Sequence, residues 1–158
     1  MEEIPKFGGK HSFSMLWRYN REWYGLIGSK CKKCGTLHYP RKAVCVYPCV
    51  SHDMEDVPLS HTGTIHHAGL NSRGTEGYRD IQPQVLATIK LDDGPHIVAE
   101  IVNLPLSFIG KGSRDRKEMG KLEGLKVRMV IRRFRKHDNG DITYGHKFEL
   151  TQEVEHKV

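Results

Sequence analysis

No apolar run in this 158-residue chain approaches the roughly 20 residues that a membrane-spanning helix needs. The N-terminus, Met1-Glu2-Glu3-Ile4-Pro5, lacks the basic-then-apolar order of a signal peptide. A secreted or integral membrane protein is therefore not expected, and the cytoplasm is the expected compartment. No serine, histidine and acid fall in a recognised catalytic arrangement, so an enzyme acting alone is not expected either. There is no internal repeat. Acidic residues are in short supply, 19 Asp plus Glu against 25 Lys plus Arg, which leaves a net charge of +6. An excess of this size suits an anionic partner, nucleic acid or a phosphorylated ligand, without choosing between them. With 37% hydrophobic and 28% charged residues, the composition is that of a folded protein with one core, or a small domain with an appendage.

Cysteine is scarce too, but its placement is informative. Cys31, Cys34, Cys45 and Cys49 fall in a C-x2-C-x10-C-x3-C pattern. Clustering of this kind in a cytosolic chain favours zinc over disulfides. Two thiolates two residues apart on a tight turn can take two corners of a tetrahedron, with zinc–sulfur distances of about 2.3 Å. Gly35, just after Cys34, lets backbone N–H groups turn toward the sulfurs. Lys30, Lys32 and Lys33 offset the negative charge of four thiolates. The second pair, Cys45-Val46-Tyr47-Pro48-Cys49, is less regular, with three intervening residues and no glycine after it. A structural Zn2+ is expected, since four thiolates leave no open position for catalysis. The strand–helix context of a redox C-x-x-C is missing. His38 and His52 are spare ligands nearby, each expected to be an ordinary surface histidine.

The pattern divides the chain into a helical segment over 1–24, a zinc ribbon over 25–56 and a barrel domain over 57–158. Residues 11 to 24 are the helix candidate, with Phe13, Leu16, Trp17 and Tyr24 near one face and Arg18, Arg21 and Glu22 elsewhere. Trp23 adds another large aromatic. That stripe either packs on its own domain or docks on a partner, with Phe13, Trp17 and Trp23 as the docking residues. Tyr24 to Ser29 reads as a strand entering the first cysteine turn, and Leu37-His38-Tyr39 as its return, ended by Pro40. From residue 59 onward the period changes to two. Thr62–Leu70, Val85–Leu91, Ile97–Val102, a strand around Val127, Met129 and Ile131, and a last one from Ile142 to Leu150 read as five strands. Asp93-Gly94 and Asn139-Gly140 mark hairpin turns. Five strands with a long connection between the third and fourth fit a Greek-key OB barrel, and the fold class is mainly β. Adjacent His66 and His67 should point to opposite faces of their strand.

The charge is local. Residues 111 to 136 hold eleven Lys and Arg residues against three acids, a net +8, so the rest of the chain nets −2. This stretch is either a solvated outer barrel face or an anion site. A nucleic-acid-binding zinc-ribbon/OB-fold module is one reading of it. Aromatic residues are absent from the stretch except Phe134, whereas single-strand nucleic-acid binders interleave stacking aromatics with basic residues.

The order of features resembles a family of two-part proteins with an N-terminal helix, a rubredoxin-like zinc ribbon and a C-terminal OB-fold. That family was long catalogued as a domain of unknown function and is acyl-CoA-associated. The likeness rests on Trp17-Arg18, on Tyr24-Gly25-Leu26-Ile27-Gly28-Ser29-Lys30-Cys31-Lys32-Lys33-Cys34-Gly35, and on Tyr39-Pro40-Arg41. It continues through the second Cys pair, Gly63-Thr64-Ile65, the Asp93-Gly94 hairpin and Tyr144-Gly145-His146-Lys147-Phe148. Cys45-x3-Cys49 departs from the family's usual C-P-x-C knuckle. The resemblance implies a non-catalytic accessory subunit of thiolase-superfamily enzymes. In its archaeal form this is a scaffold joining acetoacetyl-CoA thiolase to hydroxymethylglutaryl-CoA synthase, on the mevalonate route to isoprenoids. It also implies CoA or acyl-CoA as a ligand. The basic residues Lys111, Arg114, Arg116, Lys117 and Arg132 suit its phosphates.

Overall fold

The structure is a computed structural model that describes residues 13–72, 83–105, 119–136 and 142–151. Among the described residues it is mainly β, with a helix ahead of the strands. The helix α1 spans Phe13–Gly25, followed by β1 (Ile27–Cys31), β2 (Leu37–His38) and β3 (Met54–Pro58). These three strands form an antiparallel sheet in the order β2-β1-β3. The strands β4 (Thr62–Asn71), β5 (Gln84–Leu91), β6 (His96–Val102), β7 (Lys126–Lys136) and β8 (Ile142–Leu150) close a barrel in the order β4-β5-β6-β8-β7. Every neighbouring pair is antiparallel except β6 and β8, which run parallel where Ile101 meets Phe148. This is the five-stranded Greek-key arrangement of an OB barrel.

The alternation of apolar residues fills the barrel. Val85, Ala87, Ile89 and Leu91 on β5, and Ile97, Ala99 and Ile101 on β6, all point into one core with Val127 and Phe148. Met119 and Leu122, from the segment before β7, join it. Gly63 is required by close approach: a Cβ there would meet the Lys90 carbonyl at 2.6 Å and Ile89 at 2.9 Å. The alternation on β7 and β8 continues past the core. Ile131, Ile142 and Tyr144 are exposed, because this hairpin outruns the barrel.

Two expectations from local spacing are corrected. A bulge between Ile65 and His67 inserts an extra residue opposite β5, so His66 and His67 are both exposed instead of facing opposite ways. Their side chains find separate partners, His66 edge-on to His96 and His67 Nδ1 2.7 Å from Glu123. Among the α1 side chains that are described, Glu22 is buried, while Trp17 and Tyr24 are exposed.

The helix ends in a way the sequence does not advertise. Leu26, the next residue after α1, has φ +48° and donates its N–H to the Glu22 carbonyl. A glycine is usual at such a left-handed position, and a leucine costs about 1 kcal/mol more there. Leu26 is fully buried in the core, and that burial, worth roughly 2 kcal/mol, offsets the strain. The chain therefore turns sharply, and β1 starts at Ile27 rather than at Tyr24.

Candidate metal centre

β1 ends at Cys31, and a tight turn carries the chain over Cys34 to β2. Gly35 sits at φ +75° and donates its N–H to the Cys31 carbonyl at 2.8 Å. The second knuckle is held to Ser51, whose carbonyl accepts from the Cys45 N–H at 2.9 Å. Its extra residue is absorbed by a turn in which the Cys49 N–H donates to the Val46 carbonyl at 3.1 Å. Val50 then takes a left-handed φ of +43°.

The four Sγ atoms all lie within 4.8 Å of one another. Cys31 and Cys49 are 3.8 Å apart, and Cys34 and Cys45 3.5 Å. Sulfurs about 2.3 Å from a tetrahedral zinc stand about 3.8 Å apart, so the set fits that ion without rearrangement. The irregular second pair thus reaches the same centre as the regular one. A zinc here would cross-link the two knuckles and supply no reaction.

The two knuckles differ in protonation. Backbone N–H groups of Cys34 and Lys33 aimed at Cys31 lower its thiol pKa. The Thr36 hydroxyl, 3.2 Å away, and the Thr36 amide bring Cys34 down to about 6. Burial pushes Cys45 up to about 12, and it raises Cys49 as well. The first pair gives up its protons more readily than the second, which would lose them on binding the metal. His38 is buried, not on the surface as expected, and its Nε2 lies 3.5 Å from Cys45 Sγ. A side chain there orients the sulfur and does not displace it. His52 is exposed.

A motif singled out for its sequence proves to be a joint. Arg41 Nε donates to Glu22 Oε1 at 2.6 Å, and its Nη1 lies 2.8 Å from Asp56 on β3. Tyr39, two residues earlier, reaches His146 on β8. Tyr39-Pro40-Arg41 therefore ties the ribbon to the helix and to the barrel.

Of the residues expected to dock a partner, Trp17 is 74% exposed. Trp23 is half-buried and stacks on Phe134, with ring centroids 6.3 Å apart. The side chain of Phe13 lies outside the described residues, as do Lys111, Arg114, Arg116 and Lys117. Arg132 is on β7, 48% exposed and 3.8 Å from Glu149.

Residues 24–55 match the family model described as "ChsH2, rubredoxin-like zinc ribbon domain". The chain is 31% identical to a "DUF35 domain-containing scaffold protein" of Methanocaldococcus jannaschii, over 84% of this chain and 86% of the relative. A protein of the same description from Pyrococcus furiosus is 32% identical over 85% of this chain and 90% of its own length. The chain belongs to this DUF35 scaffold protein family. A shorter match, 34% identity over 52% of this chain and 56% of the relative, is to "Benzoylsuccinyl-CoA thiolase subunit BbsA" of Thauera aromatica. The solved "Ltp2-ChsH2(DUF35) aldolase" chain has the same fold at a TM-score of 0.61 and 16% identity, over 92% of this chain and 98% of that one. Within the DUF35 frame, the four cysteines lie inside the matched ribbon. Among the described residues of this DUF35 chain, no helix is long and apolar enough to cross a membrane.

Proposed function

We propose that this chain is a non-catalytic scaffold of an acyl-CoA-processing complex. It joins acetoacetyl-CoA thiolase to hydroxymethylglutaryl-CoA synthase in the mevalonate pathway, and it helps hold CoA while the intermediate passes between them. The observation that carries this reading is similarity over more than four-fifths of the chain to archaeal proteins described as scaffolds. Similarity to a thiolase subunit supports the enzyme class of the partner.

The geometry supports the same role. Four sulfurs that converge on one point would lock the ribbon around a zinc and leave it no open coordination position, which suits a structural part. Trp17 projects from α1 with most of its surface bare, as an anchor for a partner would. Lys111, Arg114, Arg116, Lys117 and Arg132 would hold the phosphates of CoA. A thioester kept between two enzymes has a high effective concentration at the second, which pulls an unfavourable condensation forward.

The test is reconstitution. The purified chain mixed with the two enzymes should co-elute with both as one species. Elution of the three as separate proteins at micromolar concentration would overturn the scaffold role.

A further inference from the structure

The two knuckles hold their first sulfurs by different means. In the first, the backbone N–H groups two and three residues after Cys31, those of Lys33 and Cys34, are aimed at its sulfur. Counted the same way from Cys45, the donors would be Tyr47 and Pro48. Pro48 has no N–H to give. The next two N–H groups are already used, since those of Cys49 and Val50 donate to the Val46 carbonyl at 3.1 and 3.4 Å. The Cys45 N–H itself goes to the Ser51 carbonyl. Burial and the neighbouring sulfurs dominate at Cys45, with no backbone N–H among the leading influences.

Burial makes that lack costly. Cys34 is exposed and has the Thr36 hydroxyl at 3.2 Å, and Cys49 is half-buried. Cys45 is only 5% exposed, so water does not replace the missing donor. His38 stands on β2, in register with Ser29 of β1, and is itself buried. Its Nε2 lies 3.5 Å from Cys45 Sγ, within reach of an N–H to sulfur bond. Among the described residues, that sulfur is the hydrogen-bond partner of the His38 ring. The four Sγ atoms already make a full tetrahedral set, which leaves the ring as a donor to one ligand and not a ligand itself.

We propose that His38 is a positioning residue of the metal centre, its Nε2–H donating to Cys45 Sγ in place of the amide that Pro48 cannot supply. The ring carries a proton on Nε2, and the sulfur accepts as a thiolate. The bond turns Cys45 toward the other three sulfurs and gives its buried charge a donor. A bond that the first knuckle makes within its own turn is made in the second across the ribbon, from β2. The C-x3-C spacing and the missing glycine are thereby compensated by one side chain outside the motif.

Titration of the full, metal-stripped chain with zinc and with cobalt(II) tests the bond, in the parent and in His38→Leu and His38→Gln. Zinc affinity, measured against a chromophoric chelator, should fall about tenfold or more in His38→Leu. Its sulfur-to-cobalt charge-transfer band should move to longer wavelength, because a hydrogen bond lowers the energy of the sulfur lone pair. His38→Gln, which keeps an N–H donor, should recover most of both. Equal loss of affinity in the two variants with an unmoved band would make His38 a packing residue and overturn the proposal. Unchanged affinity and spectrum in His38→Leu would overturn it too. A parent cobalt spectrum of three sulfurs and one nitrogen would make His38 a ligand instead. A nitrogen-15 spectrum of the parent loaded with zinc needs no variant to fold. It should show the His38 proton on Nε2, and a proton on Nδ1 alone would overturn the bond.

Discussion

Tyr39 and His146 are 107 residues apart in the chain, yet the Tyr39 hydroxyl lies 3.4 Å from His146 Nε2. The rings meet edge to face at 5.9 Å. His146 Nδ1 donates to the Trp23 carbonyl at 3.2 Å. One imidazole thus joins ribbon, helix and barrel, and it is neutral when it does so. Its Nδ1 carries the proton and its Nε2 accepts from Tyr39.

Burial holds the His146 pKa below its ordinary 6.5 and raises Tyr39 to about 12. A histidine with a depressed folded pKa stabilises the fold above its unfolded pKa and loses that contribution as pH falls. Stability should therefore fall from about pH 6.5 downward. In His146→Gln the stability–pH curve should be flatter below about pH 6.5. Parallel curves for the two proteins in urea melts would rule out His146 as the source.

Metal content is the simplest test of the ribbon. Purified protein should carry about one zinc per chain by elemental analysis. Chelation or Cys45→Ser should remove it and lower the melting temperature, because so small a sheet has little core of its own. Zinc binding should release protons, mainly from Cys45 and Cys49, and so weaken as pH falls. Full stability without metal would contradict the cross-link.

The pair Arg41–Glu22 should respond asymmetrically. Arg41→Ala strands the Glu22 carboxylate, which is only 6% exposed, and should cost about 2 kcal/mol. Glu22→Gln leaves Arg41 its contact with Asp56 and should cost roughly half as much. Losses below about 0.5 kcal/mol for both in chemical denaturation would mean that the pair contributes no more than a surface contact.

Gly28 should not tolerate alanine. An added Cβ would sit 2.6 Å from the His38 carbonyl and 2.9 Å from Leu59. Both are fixed, one by the ribbon sheet and one by the core, so the expected cost is about 2 kcal/mol. A melting temperature within a degree of the parent chain would show that β1 and β2 can separate there.

Trp17→Ala should weaken association with the thiolase and the synthase by about tenfold or more. Its effect on the isolated chain should stay within about 0.5 kcal/mol, because the ring is already in water. Equal loss of binding and of stability would make α1 part of the core.

Much of this protein is written in short-range pattern. The C-x2-C half-site with Gly35 specified a knuckle, because ligand spacing and a left-handed turn are local. Alternation over 85–91 and 97–102 specified barrel strands, because a side-chain period of two needs no partner to be seen. The five-strand count and the Asp93-Gly94 turn followed in the same way. The bulge at His66 was not legible, since an extra residue is defined by the strand opposite it.

Tertiary structure decided the rest. It brought the irregular Cys45-x3-Cys49 pair to the same centre as the regular one, through a turn in which the Cys49 N–H donates to the Val46 carbonyl. It buried His38 and Glu22 and left Trp17 bare. It set Trp23 on Phe134, two residues from Arg132, at the end of a hairpin whose alternation looked like core. The physical reason is common to all of these. Periodicity tells which residues share a face, but what covers that face depends on segments that closure of the barrel and the ribbon sheet brings in from far along the chain.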